Sequence, residues 1–133
     1  MAEDLRDKIR ATLAEQRKLV ARLLRLREQL AGSLFARYGT CGKASCACRT
    51  GRKHGPYYVL STRSGGQGGF AYVDEGTAGK ARERVARYRQ FRAGLVALQK
   101  VNATVVAQLR RYQKGQLRET ARRLRLPAAQ KNP

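Results

Sequence analysis

Tryptophan is absent from this chain of 133 residues, and histidine and methionine occur once each. Aromatic residues make up only 7%. No stretch approaches the roughly 20 consecutive apolar residues that a membrane-spanning helix needs. Acidic side chains are also scarce: nine Asp and Glu stand against 29 Lys and Arg, a formal charge of +20. Only Asp74 and Glu75 fall in the central segment, so paired-carboxylate chemistry has little to work with there. Cysteine is odd in number at three, all close together, and no secretory leader is apparent. These features predict a reducing, cytoplasmic setting rather than a disulfide framework.

What is present is concentrated. All three cysteines and the only histidine lie within fourteen residues, as Cys41, Cys46, Cys48 and His54. Three thiolates and one imidazole form a complete tetrahedral donor set for structural zinc, one ion per chain. The spacing, Cys-x4-Cys-x-Cys-x5-His, differs from the common zinc-finger spacings. Gly42, Gly51 and Gly55 supply backbone freedom to the loop. Lys43, Arg49, Arg52 and Lys53 offset the negative charge of three thiolates around a dication. Free buried thiols with an incidental histidine are the plainer alternative.

Residues 3–31 read as one long coiled-coil helix. Leu5, Ile9, Thr12, Gln16, Leu19, Leu23, Leu26 and Leu30 follow alternating spacings of four and three, and Gly32 follows as a C-cap. A second helix is expected over 77–112, with Tyr88, Phe91, Leu95, Leu98, Asn102, Val105, Leu109 and Tyr112 as its seam. Asn102 is a polar residue at a core position. Between the helices, residues 56–62 and 70–73 are rich in aromatic and β-branched side chains, with a glycine-rich loop over 64–69. They predict a two-stranded hairpin. The expected fold is therefore mainly α, with two long amphipathic helices flanking a zinc-stapled loop and a small hairpin over 32–76. The helices pair within the chain or with a second copy. Residues 113–133 read as a basic arm, helical in part and partly disordered when free.

The charge is uneven. Residues 80–133 carry fifteen bases and two acids, whereas residues 1–31 carry eight and five. A solvated helix face would mix signs, so this one reads as a phosphate-binding surface. The candidate contacts are Lys43, Arg49, Arg52, Lys53, Lys80, Arg84, Arg87, Arg92, Arg110, Arg111, Arg118, Arg122 and Arg123. Tyr57 and Tyr58 would add base stacking if exposed, and so would Phe70 and Tyr72. The implied partner is DNA or RNA rather than a membrane, and a DNA partner implies a nucleoid-associated protein. Two other classes remain open. One is an assembly adaptor whose helices join chains and whose charge aids solubility. The other is a tyrosine-dependent strand-transfer enzyme using Tyr57 or Tyr58 beside His54, a reading weakened by the missing acids.

Gly32-Ser33-Leu34, Arg37-Tyr38, Cys41-Gly42-Lys43, Cys46-Ala47-Cys48, His54-Gly55-Pro56-Tyr57-Tyr58 and Tyr88-Arg89-Gln90-Phe91 follow one another in order. Together they resemble an uncharacterised family of small basic prokaryotic proteins, a domain of unknown function. Its members are often loosely described as transposase-related. The resemblance covers about residues 30–110 and implies a mobile-element setting, in which this chain would be an accessory subunit of a larger nucleic-acid enzyme. It brings no catalytic activity with it. The 64–69 loop is unusually glycine-rich for it, and the segment after Tyr112 lies beyond it.

Overall fold

A computed structural model describes residues 2–64 and 67–127. The elements run α1 (Ala2–Leu23), β1 (Gly32–Gly39), a 3-10 turn (Ala47–Arg49), β2 (His54–Ser64), β3 (Gln67–Val73) and α2 (Glu75–Arg123). They divide into two compact units. One is Met1–Arg25 with Ala93–Pro133, and the other is Leu26–Arg92.

In the first unit, α1 and the later part of α2 are antiparallel. Leu23 meets Gly94, Gln16 Nε2 donates to Asn102 Oδ1 at 2.6 Å, and Arg6 donates to the Tyr112 hydroxyl at 2.9 Å. On α1 the buried or half-buried residues are Leu5, Ile9, Thr12, Gln16, Leu19 and Leu23, the expected seam as far as Leu23. On this part of α2 the seam matches expectation at Leu98, Val105 and Tyr112 and differs from it at Leu95, Asn102 and Leu109. Gly94, Leu98, Val101, Val105, Gln108 and Tyr112 turn inward, while Leu95, Asn102 and Leu109 are exposed. Gly94 explains the shift. A Cβ there would collide with the Leu23 side chain, so the helices close where α2 offers no side chain at all.

The fold expected from the sequence needs correction in the second unit. The sheet has three antiparallel strands in the order β1-β2-β3, not two. Residues 32–39, expected as a helix cap and loop, form the extra strand, with Gly32 opposite Thr62 and Phe35 opposite Val59. Two strands alone are marginal in water, and β1 supplies the third. Gly32 is a strand residue because a Cβ would strike the Ser61 carbonyl, so only glycine fits the approach. The first helix stops at Leu23 although its spacing continues through Leu26 and Leu30. Tertiary contacts overrule the periodicity there. Glu28, at a φ of 55°, turns its carboxylate to Arg84 at 2.9 Å and Arg87 at 3.6 Å. Arg87 also donates to the Arg27 carbonyl, and the Leu30 amide donates to the Arg84 carbonyl.

β2 and β3 are longer than expected, pairing as far as Ser64 with Gln67. Gly65 and Gly66, from the expected glycine-rich loop, lie outside the described residues. α2 begins where Asp74 Oδ1 accepts from the Thr77 amide at 2.6 Å, a Ser/Asp-type N-cap. Ala78, Ala81 and Val85 are buried at i, i+3 and i+7, a narrow stripe of small side chains. The helix runs on through 113–123, part of the segment expected as an arm. Residues 128–133 of that segment lie outside the described residues. Among the described residues no helix is long and apolar enough to cross a membrane.

Candidate metal centre

The strands β1 and β2 end in the pair Gly39 and His54, and a fourteen-residue connection leaves that end of the ladder. Such a connection has no apolar core of its own. It is organised by turns instead. The Cys46 amide donates to the Lys43 carbonyl at 3.2 Å, and the Ala47 carbonyl accepts from the Thr50 and Gly51 amides. Cys46 sits at the N-cap of the 3-10 turn in extended conformation, and Cys48 lies inside that turn. The one-residue gap between them thus spans a change of backbone conformation. That change lets both sulfurs face the same point.

The four residues converge. Cys41 Sγ lies 3.6 Å from Cys48 Sγ, and Cys46 Sγ lies 3.2 Å from His54 Nε2. All four donor atoms fall within 4.8 Å of one another. A tetrahedral ion with sulfur ligands at about 2.3 Å separates those ligands by about 3.8 Å along each edge. The observed spacings bracket that value, so the donor set fits such an ion. The cysteines are free thiols, and 3.6 Å is far beyond a disulfide bond. Cys48 is the largest fully buried side chain of the described residues, at 1% exposure, and the Cys41 amide points at its sulfur from 3.4 Å.

The thiols differ in acidity. The Cys46 thiol is lowered to about 6, first by the Cys48 amide and then by the Cys48 thiol, the His54 ring and the Cys41 thiol. For Cys48 the Cys41 amide favours the thiolate, but burial and the neighbouring Cys46 and Cys41 sulfurs outweigh it, and its value is raised. A cluster in which one sulfur is poised as the anion and the next resists ionisation is what close like charges produce.

His54 is aimed by the residues after it. Gly55 has a φ of 138°, and a Cβ there would press on Tyr38 and the Arg37 carbonyl. Only glycine lets β2 leave His54 in this direction.

The cations expected to contact nucleic acid fall into three groups. Lys43, Arg49, Arg52 and Lys53 are exposed around the cysteine loop. Lys80, Arg92, Arg110, Arg111, Arg118, Arg122 and Arg123 are exposed along α2. Arg84 and Arg87 are instead half-buried and held by Glu28. Arg92 lies over the Tyr88 ring and Arg123 pairs with Glu119. Tyr57 is exposed, whereas Tyr58 is half-buried on the opposite face of the sheet. Pro56, Tyr57, Tyr58, Tyr72, Val73, Asp74 and Glu75 line a groove of about 400 Å³.

Sequence reasoning missed Phe35 and Arg37. Register puts Phe35, Val59 and Tyr72 in one row, Ser33, Ser61 and Phe70 in the next, and Arg37 beside Tyr57. The signal was a short run with Leu34, Phe35 and Tyr38 bounded by Gly32 and Gly39, which the helical reading of the preceding segment obscured.

The chain belongs to a family described as a domain of unknown function (DUF6788), which matches residues 3–83. No curated protein and no solved structure matches it.

Proposed function

We propose that this chain is a zinc-stabilised nucleic-acid-binding protein, an accessory subunit of a mobile-element or other nucleic-acid-processing complex. The observation that carries the reading is the charge along α2. Between Glu75 and Arg123 it carries thirteen Lys and Arg against three acids. Arg82, Arg89, Arg110, Arg111, Arg118 and Arg122 are exposed and make no ion pair with a carboxylate among the described residues. A helix needs no such excess for its own stability, because like charges a turn apart repel. Polyanionic phosphate relieves that repulsion and releases its counterions.

Zinc in this reading is held by Cys41, Cys46, Cys48 and His54. When bound it supplies folding energy rather than chemistry. The chain's own residues then do the rest: the turns of the loop orient the sulfurs, and Lys43, Arg49, Arg52 and Lys53 compensate the thiolates. The accessory role rests on the resemblance to proteins loosely described as transposase-related.

The test is fluorescence anisotropy with a labelled duplex across a salt series. With about six phosphates engaged, log affinity should fall against log salt with a slope of about −5. The triple charge reversal Arg110→Glu, Arg111→Glu and Arg118→Glu should reduce that slope by about 2 to 3. A flat dependence would remove nucleic acid as the partner. It would favour the adaptor reading, for which the exposed Leu13, Val106, Leu109 and Leu117 speak.

A further inference from the structure

An antiparallel sheet in a small unit buries one face and solvates the other, and the solvated face ordinarily carries polar side chains. Here it carries rings. Phe70 is 77% exposed, Tyr72 68%, Tyr57 49% and Phe35 44%. These four belong to the same face, because each strand alternates sides and the register sets them in adjoining rows. Val59, at their centre, is 4% exposed, so the rings form a continuous apolar surface rather than isolated side chains. Exposed contiguous apolar surface of this kind marks a binding site.

The chemistry around the rings selects the occupant. No strand residue on this face is acidic. Arg37 shares the face, and its guanidinium donates to the Tyr72 hydroxyl at 3.4 Å. The unit Leu26–Arg92 holds thirteen Lys and Arg against four acids, a charge of +9. A second copy of this unit would bring the same positive charge to the interface and be repelled. An anionic ligand with flat π faces is complementary to both features.

Resting on the proposed nucleic-acid function, we infer that this face is a stacking platform for the bases of a single strand. Successive rows along an antiparallel sheet lie about 6.8 Å apart, twice the rise per residue. Stacked bases along one strand rise about 3.4 Å each. Bases resting on successive rows must therefore be drawn apart, which a single strand permits and a duplex resists. Ring stacking tolerates any base, so the platform adds affinity for single strands without sequence reading.

The test compares the full-length protein with the double variant Phe70→Ala and Tyr72→Ala. Both side chains are largely exposed, so the fold should survive, and circular dichroism checks that it does. The probes are a labelled twelve-nucleotide single-stranded DNA, the corresponding RNA and a duplex of the same length. The variant should lose about tenfold or more on single strands and less than about twofold on duplex. Phenylalanine at Tyr72 should keep most of the single-strand affinity, because the ring remains. Equal losses on single strand and duplex, or no loss on single strands, would overturn the platform while leaving salt-dependent binding intact. Absence of salt-dependent binding to any probe would overturn both the platform and the function it rests on. A change in sedimentation with no change in binding would also overturn it, by assigning the rings to self-association.

Discussion

At the scale of single residues, the cysteine–histidine cluster was the most legible part of the chain and the aromatic face the least. Cys41, Cys46, Cys48 and His54 could be singled out because these residue types are otherwise absent, so proximity in sequence alone pointed to proximity in space. Phe35 and Arg37 gave no comparable signal, since their significance comes from register with strands twenty to forty residues away. Asp74 was noticed as a rare acid but not as a cap. Its carboxylate accepts from the Thr77 amide and, with that contact first and the Thr77 side chain next, its pKa is held below the ordinary carboxylate range. A depressed folded value means that the contribution is complete above the unfolded value of about 3.9 and is lost as pH falls through the folded one. Asp74→Asn should therefore lower the melting temperature at pH 6 relative to the native chain. The gap should narrow progressively below about pH 4. A gap that is constant from pH 7 to pH 2.5 would show that the charge of Asp74 does not stabilise α2.

At the scale of elements, the α1 seam was readable as far as Leu23 because spacing of four and three reports one helix face whatever lies opposite. The end of α1 was not readable. Leu26 and Leu30 continue the pattern, but Glu28 with Arg84 and Arg87 fixes a turn there, and that pairing is visible only once α2 is in place. The α2 seam was offset for a similar reason, since glycine carries no hydrophobic signal and yet Gly94 decides where the helices meet. Leu23→Asp places an unpaired charge in that contact and should cost about 3 kcal/mol or more. Gln108→Leu should act in the opposite direction. The Gln108 Oε1 atom is buried without a hydrogen-bond partner among the described residues, a cost of about 1–3 kcal/mol that leucine removes. Denaturant melts of the two variants check the pair. Leucine at 108 destabilising the chain, or aspartate at 23 leaving it unchanged, would contradict the antiparallel arrangement of α1 with the later part of α2.

At the scale of the whole molecule, the charge of +20 frames both the stability and the function. Self-repulsion opposes folding, and the described core is thin, with Leu23, Cys48, Val59, Ala78, Ala81 and Val85 as its buried apolar residues. A loop of fourteen residues closing one end of a three-stranded sheet needs a fastening that this core does not supply. The proposed fastening is a zinc ion, whose binding contributes about 10–16 kcal/mol in small zinc peptides. The most direct measurement is elemental analysis of protein purified without added metal, paired with a thermal melt before and after chelation. One zinc per chain is expected, with a large fall in melting temperature when it is removed. Both should be lost in Cys48→Ser, whose sulfur is the most enclosed of the three. Metal-free protein that melts at the same temperature as the purified form would contradict this expectation.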